Sequence, residues 1–226
     1  MAIEMKDINK SFGKEAQRRC QVLKQINLRI EDGEITAIMG RSGAGKSTLL
    51  HIIGCLDRPD SGSYLLDSED VSTFSNAKLA ACRNTRFGFV MQDFALIEDE
   101  TVRQNIMLPT YFSRQKRASD CEELAKKLGI AQLLDKKVSL LSGGEKQRTA
   151  IARALINDPK YIIADEPTGA LDSENARTIM QILLDLKQDK KTIIIVTHDI
   201  QVANLCDRTL YIKDGMIQQT DNEQPA

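Results

Sequence analysis

Gly40-Arg41-Ser42-Gly43-Ala44-Gly45-Lys46-Ser47-Thr48 is the stretch on which the fold turns, because it fits the pattern G-x-x-x-x-G-K-[ST]. Ile35 to Met39, just before it, reads as a short apolar strand, and Thr48 to Cys55 reads as a helix. Strand, glycine loop, helix is the order a phosphate cradle requires. The glycines let successive backbone N–H groups turn toward an anion, and the helix adds its positive N-terminal end. Lys46 is placed to reach β- and γ-phosphates and the Ser47 hydroxyl to sit on Mg²⁺.

Outward from that loop the chain alternates. Ile3, Met5 and Ile8 read as one strand, and Ile26, Leu28 and Ile30 as another with period two. Beyond the middle, Tyr161 to Ala164 and Ile193 to Val196 read as buried strands around a helix from Glu174 to Leu186. Thr209 to Ile212, Asp214-Gly215 and Met216 to Gln218 read as a hairpin with Asp-Gly as its turn; Asn222 to Ala226 reads as a frayed tail. Strands alternating with helices predict an α/β fold with a mostly parallel sheet, preceded by an N-terminal antiparallel region. The stretch 93–155 is different: Glu122 to Leu128 and Glu145 to Leu155 are helical, with no strong strand between. We expect one domain over 1–226, its core formed by 1–92 and 156–226 and a helical subdomain inserted at about 93–155.

Bulk composition excludes several classes. The 226 residues carry 31 Lys+Arg and 32 Asp+Glu, a net charge of -1, so nothing electrostatic calls for nucleic acid or an anionic surface. The five cysteines, Cys20, Cys55, Cys82, Cys121 and Cys206, form no CxxC pair. They read as small, partly buried hydrophobes in a reducing cytosol rather than as disulfides or a zinc site. Met1 to Asp7 carry charges and do not read as a signal peptide, and no run approaches the ~20 apolar residues that span a bilayer. Direct membrane insertion is therefore not expected.

Two further stretches carry chemistry. Ile162-Ile163-Ala164-Asp165-Glu166-Pro167 ends a buried strand in two carboxylates. Asp165 is placed to hold Mg²⁺ and Glu166 to polarise a water facing the γ-phosphate. Leu141-Ser142-Gly143-Gly144-Glu145-Lys146-Gln147-Arg148 has capping-box spacing at Ser142 and Glu145, so a helix begins there. Its two glycines would expose N–H groups to an anion; alone, this motif says no more than a well-capped helix.

Together these motifs closely resemble those of ATP-binding-cassette ATPases. Leu141 to Arg148 resembles the signature motif, the run at Gly40 the Walker A loop, Ile162 to Glu166 Walker B, and Gly169-Ala170-Leu171-Asp172 the D-loop. The resemblance runs from Phe12 to Asp214 and implies an ATPase with a P-loop core, using ATP and Mg²⁺. It implies ATP contacts across Gly40, Arg41, Ser42, Gly43, Ala44, Gly45, Lys46, Ser47 and Thr48, with Phe12 stacking on adenine; packing of Phe12 in the core is the other reading. It makes Gln92 the Q-loop glutamine, contacting Mg²⁺ beside Ser47 and Asp165. It makes His198 the switch histidine near the γ-phosphate, with Lys46, Gln92 and Glu166 in catalysis; His51 reads as structural. In the family two copies pair head to tail, so Ser142, Gly143, Gly144 and Glu145 would meet the nucleotide held by a second copy; Asp172 would be the D-loop aspartate.

Ile53-Gly54-Cys55-Leu56-Asp57-Arg58-Pro59, Asp165 to Asp172 and Val102 to Pro109 resemble the group of macrolide exporters, lipoprotein-releasing ATPases and bacteriocin-resistance transporters. Ser68 stands where such relatives usually have glycine. Glu98-Asp99-Glu100 replaces a more apolar, proline-containing stretch near the expected permease contact. The implied role is to power export or extraction of antimicrobial peptides, macrolide-like compounds or lipoproteins through a separate integral membrane permease, from the cytoplasmic face of the inner membrane. Regulation of cell-wall hydrolases through a membrane partner is the alternative. A DNA-repair cassette would need a long coiled coil before the signature and a translation factor a second cassette; neither is visible.

Overall fold

A computed structural model describes residues 2–13, 20–113 and 120–218; the tail from Asn222 lies outside them. In chain order the elements are β1 (Ile3–Phe12), β2 (Cys20–Ile30), β3 (Ile35–Met39), α1 (Lys46–Ile53), β4 (Ser61–Leu66), β5 (Glu69–Asp70), α2 (Asn76–Arg86), β6 (Phe87–Val90), α3 (Val102–Met107), α4 (Cys121–Lys127), α5 (Gly143–Leu155), β7 (Tyr161–Asp165), α6 (Ser173–Asp185), β8 (Thr192–Val196), α7 (Ile200–Ala203), β9 (Arg208–Lys213) and β10 (Met216–Gln218). Short 3₁₀ turns fill several connections. The chain packs as two compact units, one from residues up to Leu79 with those from Ile194 on, the other Ala80–Ile193. These boundaries fall inside α2 and β8.

In the first unit an antiparallel sheet runs in the order β2-β1-β4-β5. Ile3, Met5 and Ile8 are all buried although Met5 and Ile8 are three apart. A bulge explains it: the register steps from Met5↔Leu28 to Ile8↔Ile26, and Asp7 sits at φ 51. The partner strand compensates between Ile26 and Leu23, where Gln25 lies at φ 47, so Lys10 pairs with Leu23. Between Met5 and Lys10 one extra residue in each strand restores both buried faces, and a further shift follows between Lys10 and Ser11. Further on, Asp67 and Ser68 both take positive φ, 49 and 67, between β4 and β5. That is the backbone of a two-residue hairpin turn, and it is why glycine suits the place Ser68 occupies.

The first unit also holds β3, every residue of which is buried, paired in parallel with β9. β10 returns antiparallel to β9 through Asp214 and Gly215, at φ 51 and 79. Ala203 of α7 packs on Ala37 and Met39. In the second unit β6 and β7 pair in parallel, and α5 packs against β6, α3, α4 and α6. Gly88 permits that closeness, since a Cβ there would stand 2.4 Å from the Ala154 carbonyl oxygen. Among the described residues of 93–155 the only β pairing is an isolated bridge, Thr101 to Lys137, and the elements are α3, α4, α5 and short 3₁₀ turns.

No described helix is long and apolar enough to cross a membrane. The expectation for the cysteines needs one correction: Cys20 is exposed, at the first residue of β2. Cys55 and Cys82 are buried, and burial pushes the Cys206 thiol up to about 11, which keeps it neutral and inert.

Candidate nucleotide site

The first unit presents the glycine loop. Gly40 follows β3 and lies against β9, where a Cβ would meet the Ile212 carbonyl oxygen at 2.3 Å. Gly43 and Gly45 lie at φ 78 and 104, in the left-handed region that glycine enters without strain. Gly45 is also pressed by β2, since a Cβ there would stand 2.9 Å from Leu23 Cδ2 and 3.1 Å from the Val22 carbonyl oxygen. Arg41, Ser42 and Gly43 are exposed. α1 starts at Lys46 with no side-chain cap and no acidic residue in its first turn, so its N-terminal end is left for an external anion. Lys46 Nζ donates to the carbonyl oxygens of Gly40 at 2.8 Å and Arg41 at 3.1 Å. The ammonium thus lies folded across the loop, which suits the position expected for phosphate contact.

Phe12 is 47% exposed at the end of β1, which removes core packing as its role. Its support is Lys10, a lysine only 8% exposed. Lys10 Nζ bonds Asp57 Oδ1 at 2.8 Å and the Arg58 carbonyl oxygen at 2.7 Å, and lies 5.2 Å from the Phe12 ring centre. Asp60 Oδ2 accepts from Ser11 N at 2.9 Å. The strand end bearing Phe12 is thereby tied to the loop that follows α1. Lys10 is a contributor that sequence reading passed over; a lysine on a strand looks solvated unless its carboxylate partners are known.

His198 is exposed just past β8. The preceding Thr197 is fully buried and its N–H donates to Ile38 O at 3.2 Å, so His198 is held beside the strand that enters the glycine loop. Asp199 caps α7.

The second unit carries the carboxylates and the signature. β7 buries Tyr161 to Ala164 and leaves Asp165 partly open. Glu166 follows at φ 47, a left-handed conformation that costs a non-glycine residue roughly 1–2 kcal/mol. Its carbonyl closes the turn by accepting from Gly169 N at 3.1 Å. Gln92 reaches the same turn: the Cβ position of Gly169 is 3.6 Å from Glu166 Cβ and 3.8 Å from Gln92 Nε2. The loop beyond Gln92 is strapped to α5. Arg153 donates to the carbonyl oxygens of Phe94 and Ala95, which lie at φ 62 and 48, and Lys146 pairs with Glu98 at 2.8 Å.

The predicted capping box is present. Glu145 N donates to Ser142 Oγ at 3.4 Å, and Ser142 N donates to Glu145 Oε2 at 2.7 Å. That backbone donor holds the Glu145 carboxyl below its usual range. Gly144 has a role inside its own chain. It is buried, and a Cβ there would fall 2.1 Å from Asn175 Oδ1. Asn175 is fixed by Asp172, the N-cap of α6, through bonds of 2.9 and 2.7 Å. Gly144→Ala must therefore overpack α5 against α6. It is expected to lower stability by about 1–3 kcal/mol, read as a shifted midpoint in urea unfolding, and an unchanged midpoint would refute the packing role.

A glycine loop in phosphate-cradle sequence, paired carboxylates at the end of a buried strand and a capped helix with glycines at its start are the features expected of a nucleotide hydrolase. A family model for ABC transporters matches residues 23–169, well over half of the chain. The chain belongs to the ABC transporter ATPase family. It shares 46% identity over 216 residues with an uncharacterised ABC transporter ATP-binding protein, YvrO, of Bacillus subtilis, covering 94% of each chain. It shares 45% over 213 residues with the macrolide export ATP-binding/permease protein MacB of a Shewanella strain, covering 93% of this chain; the cassette spans about a third of MacB, 33%. Among solved structures, the dimeric bacterial ABC transporter cassette MJ0796 matches with TM-score 0.87 and 41% identity over 96% of this chain and 97% of that one. The cassette is an α/β P-loop ATPase that binds ATP.

Proposed function

We propose that the cassette powers export or membrane extraction through a separate integral membrane permease, with two copies closing head to tail over two ATP molecules. The observation that supports a permease most directly is the match to MacB, in which a region 45% identical to this chain belongs to an ATP-binding/permease protein. The dimer reading is supported by MJ0796, whose structure is dimeric, and by the exposed Ser142 at the tip of α5. Macrolide-like compounds, antimicrobial peptides or lipoproteins are the proposed cargo, and the cytoplasmic face of the membrane the proposed location.

In this reading the amides of the glycine loop and Lys46 hold the phosphates, Phe12 stacks on adenine, Glu166 orients the attacking water, and His198 and Gln92 address the γ-phosphate. Ser47, Gln92 and Asp165 are the residues proposed to hold Mg²⁺. Among the described residues no three His, Cys, Asp or Glu side chains gather to hold a metal. Single protein oxygens suit Mg²⁺, which keeps waters and takes its remaining ligands from phosphates. Bound Mg²⁺ would neutralise charge developing on the transferred phosphoryl group.

Affinity purification of the tagged chain from detergent-solubilised membranes tests the assignment. An integral membrane protein should co-purify and raise ATP turnover several-fold when reconstituted. Recovery of the cassette from the soluble fraction alone, with no membrane protein bound, would count against the permease reading.

A further inference from the structure

Gln147 lies on α5 two residues beyond the signature's Glu145 and is only 1% exposed. Its face of the helix also bears Gly144 and Ile151, both buried, so the helical pattern calls for an apolar side chain here. An amide stands there instead. Gln147 Nε2 donates to the Pro167 carbonyl oxygen at 2.8 Å, while its Oε1 is buried without a protein partner. Burying a half-satisfied amide is costly, so the group is not there for core packing.

The bond falls on the residue after Glu166. Glu166 occupies the left-handed region at φ 47, and such a conformation persists only where neighbours over-determine it. β7 fixes Asp165 on one side. On the other, the ring of Pro167 fixes its own φ, Gly169 N holds the Glu166 carbonyl, and Gln147 holds the next carbonyl along. Without that last bond the turn can relax out of the strained region, and the carboxylate swings with it.

We propose that Gln147 is a positioning residue for Glu166: by gripping Pro167 it makes the signature helix set the aim of the carboxylate that orients water in the same chain. This rests on Glu166 being that carboxylate. The end of α5 that would touch a second copy's nucleotide and the turn serving the chain's own nucleotide are then joined by one buried bond.

Gln147→Met, which keeps the volume and removes the donor, is the test on the full chain. We expect kcat to fall about tenfold, the scale of a misaimed rather than missing catalytic group. ATP affinity should stay within about twofold, because Gln147 is not assigned to the phosphate cradle. Gln147→Asn, whose amide falls one carbon short, should show the same loss and serves if the methionine variant fails to fold. Placed in a Glu166→Gln background, Gln147→Met should slow single-turnover hydrolysis no further, since its effect passes through Glu166. A folded Gln147→Met protein with wild-type kcat would overturn the proposal, as would an undiminished further loss in the Glu166→Gln background. Wild-type turnover in Glu166→Gln alone would instead remove the reading of Glu166, and this inference with it.

Discussion

Glu166→Gln is expected to bind ATP as the wild type does, to lose turnover by on the order of a thousandfold, and to accumulate as a dimer in saturating ATP and Mg²⁺. The amide is isosteric with the carboxylate, so the φ 47 turn and its bond from Gly169 have no steric reason to change. What disappears is the negative charge proposed to orient and polarise water. In the proposed scheme binding and closure precede that step, so a chain that closes but cannot hydrolyse should stay closed. Size-exclusion chromatography with ATP reads the dimer, and phosphate release reads turnover. Monomer at saturating ATP would sink head-to-tail closure; undiminished phosphate release would remove Glu166 from catalysis.

Much of this was legible in the sequence because its signals are local. Ser142 and Glu145 announce their helix by a spacing of three, and α5 begins at the next residue. The buried strands β7 and β8 lie within one residue of the runs read as Tyr161 to Ala164 and Ile193 to Val196. What was missed depends on partners far away in the chain. β4 opens with three exposed residues, Ser61 to Ser63, and β6 is four residues with a glycine inside; neither carries periodicity enough to be seen, and each exists because a neighbouring strand pairs with it. The helix α1 was placed two residues late at each end; Gly45 at its N-cap and Gly54 at its C-cap mark the true limits. Asp7 and Gln25 break the alternation of β1 and β2 in opposite senses, a compensation visible only when both strands are aligned.

The site divides along the same line. The loop at Gly40, the carboxylates at Asp165 and Glu166, and Ser142 are motif residues whose spacing is their signal. Lys10, Gln147 and Asn175 act by reaching another segment, and their types give little warning. Gln147 alone left a trace, a polar residue on a helix face otherwise buried.

Lys46→Ala separates binding from turnover in the opposite sense to Glu166→Gln. It is expected to weaken ATP binding about a hundredfold, close to the 1.5–3 kcal/mol that a hydrogen bond to a charged group contributes. Lys46 Nζ already spans the loop, bonded to Gly40 and Arg41 carbonyls, so the ammonium holds the loop's curvature and, in the proposed reading, meets phosphate charge as well. Arg41 is exposed, so its carbonyl can exchange the lost bond for water, and unfolding stability should change by less than about 1 kcal/mol. Lys46→Arg should not rescue binding. A planar guanidinium with its donors in a rigid fork cannot place one compact charge between two carbonyls and a phosphate as an ammonium does. Isothermal titration with an ATP analogue measures all three proteins. Near-wild-type affinity in Lys46→Ala would mean that the loop amides and the helix end alone hold the phosphates, and that the lysine serves only the loop.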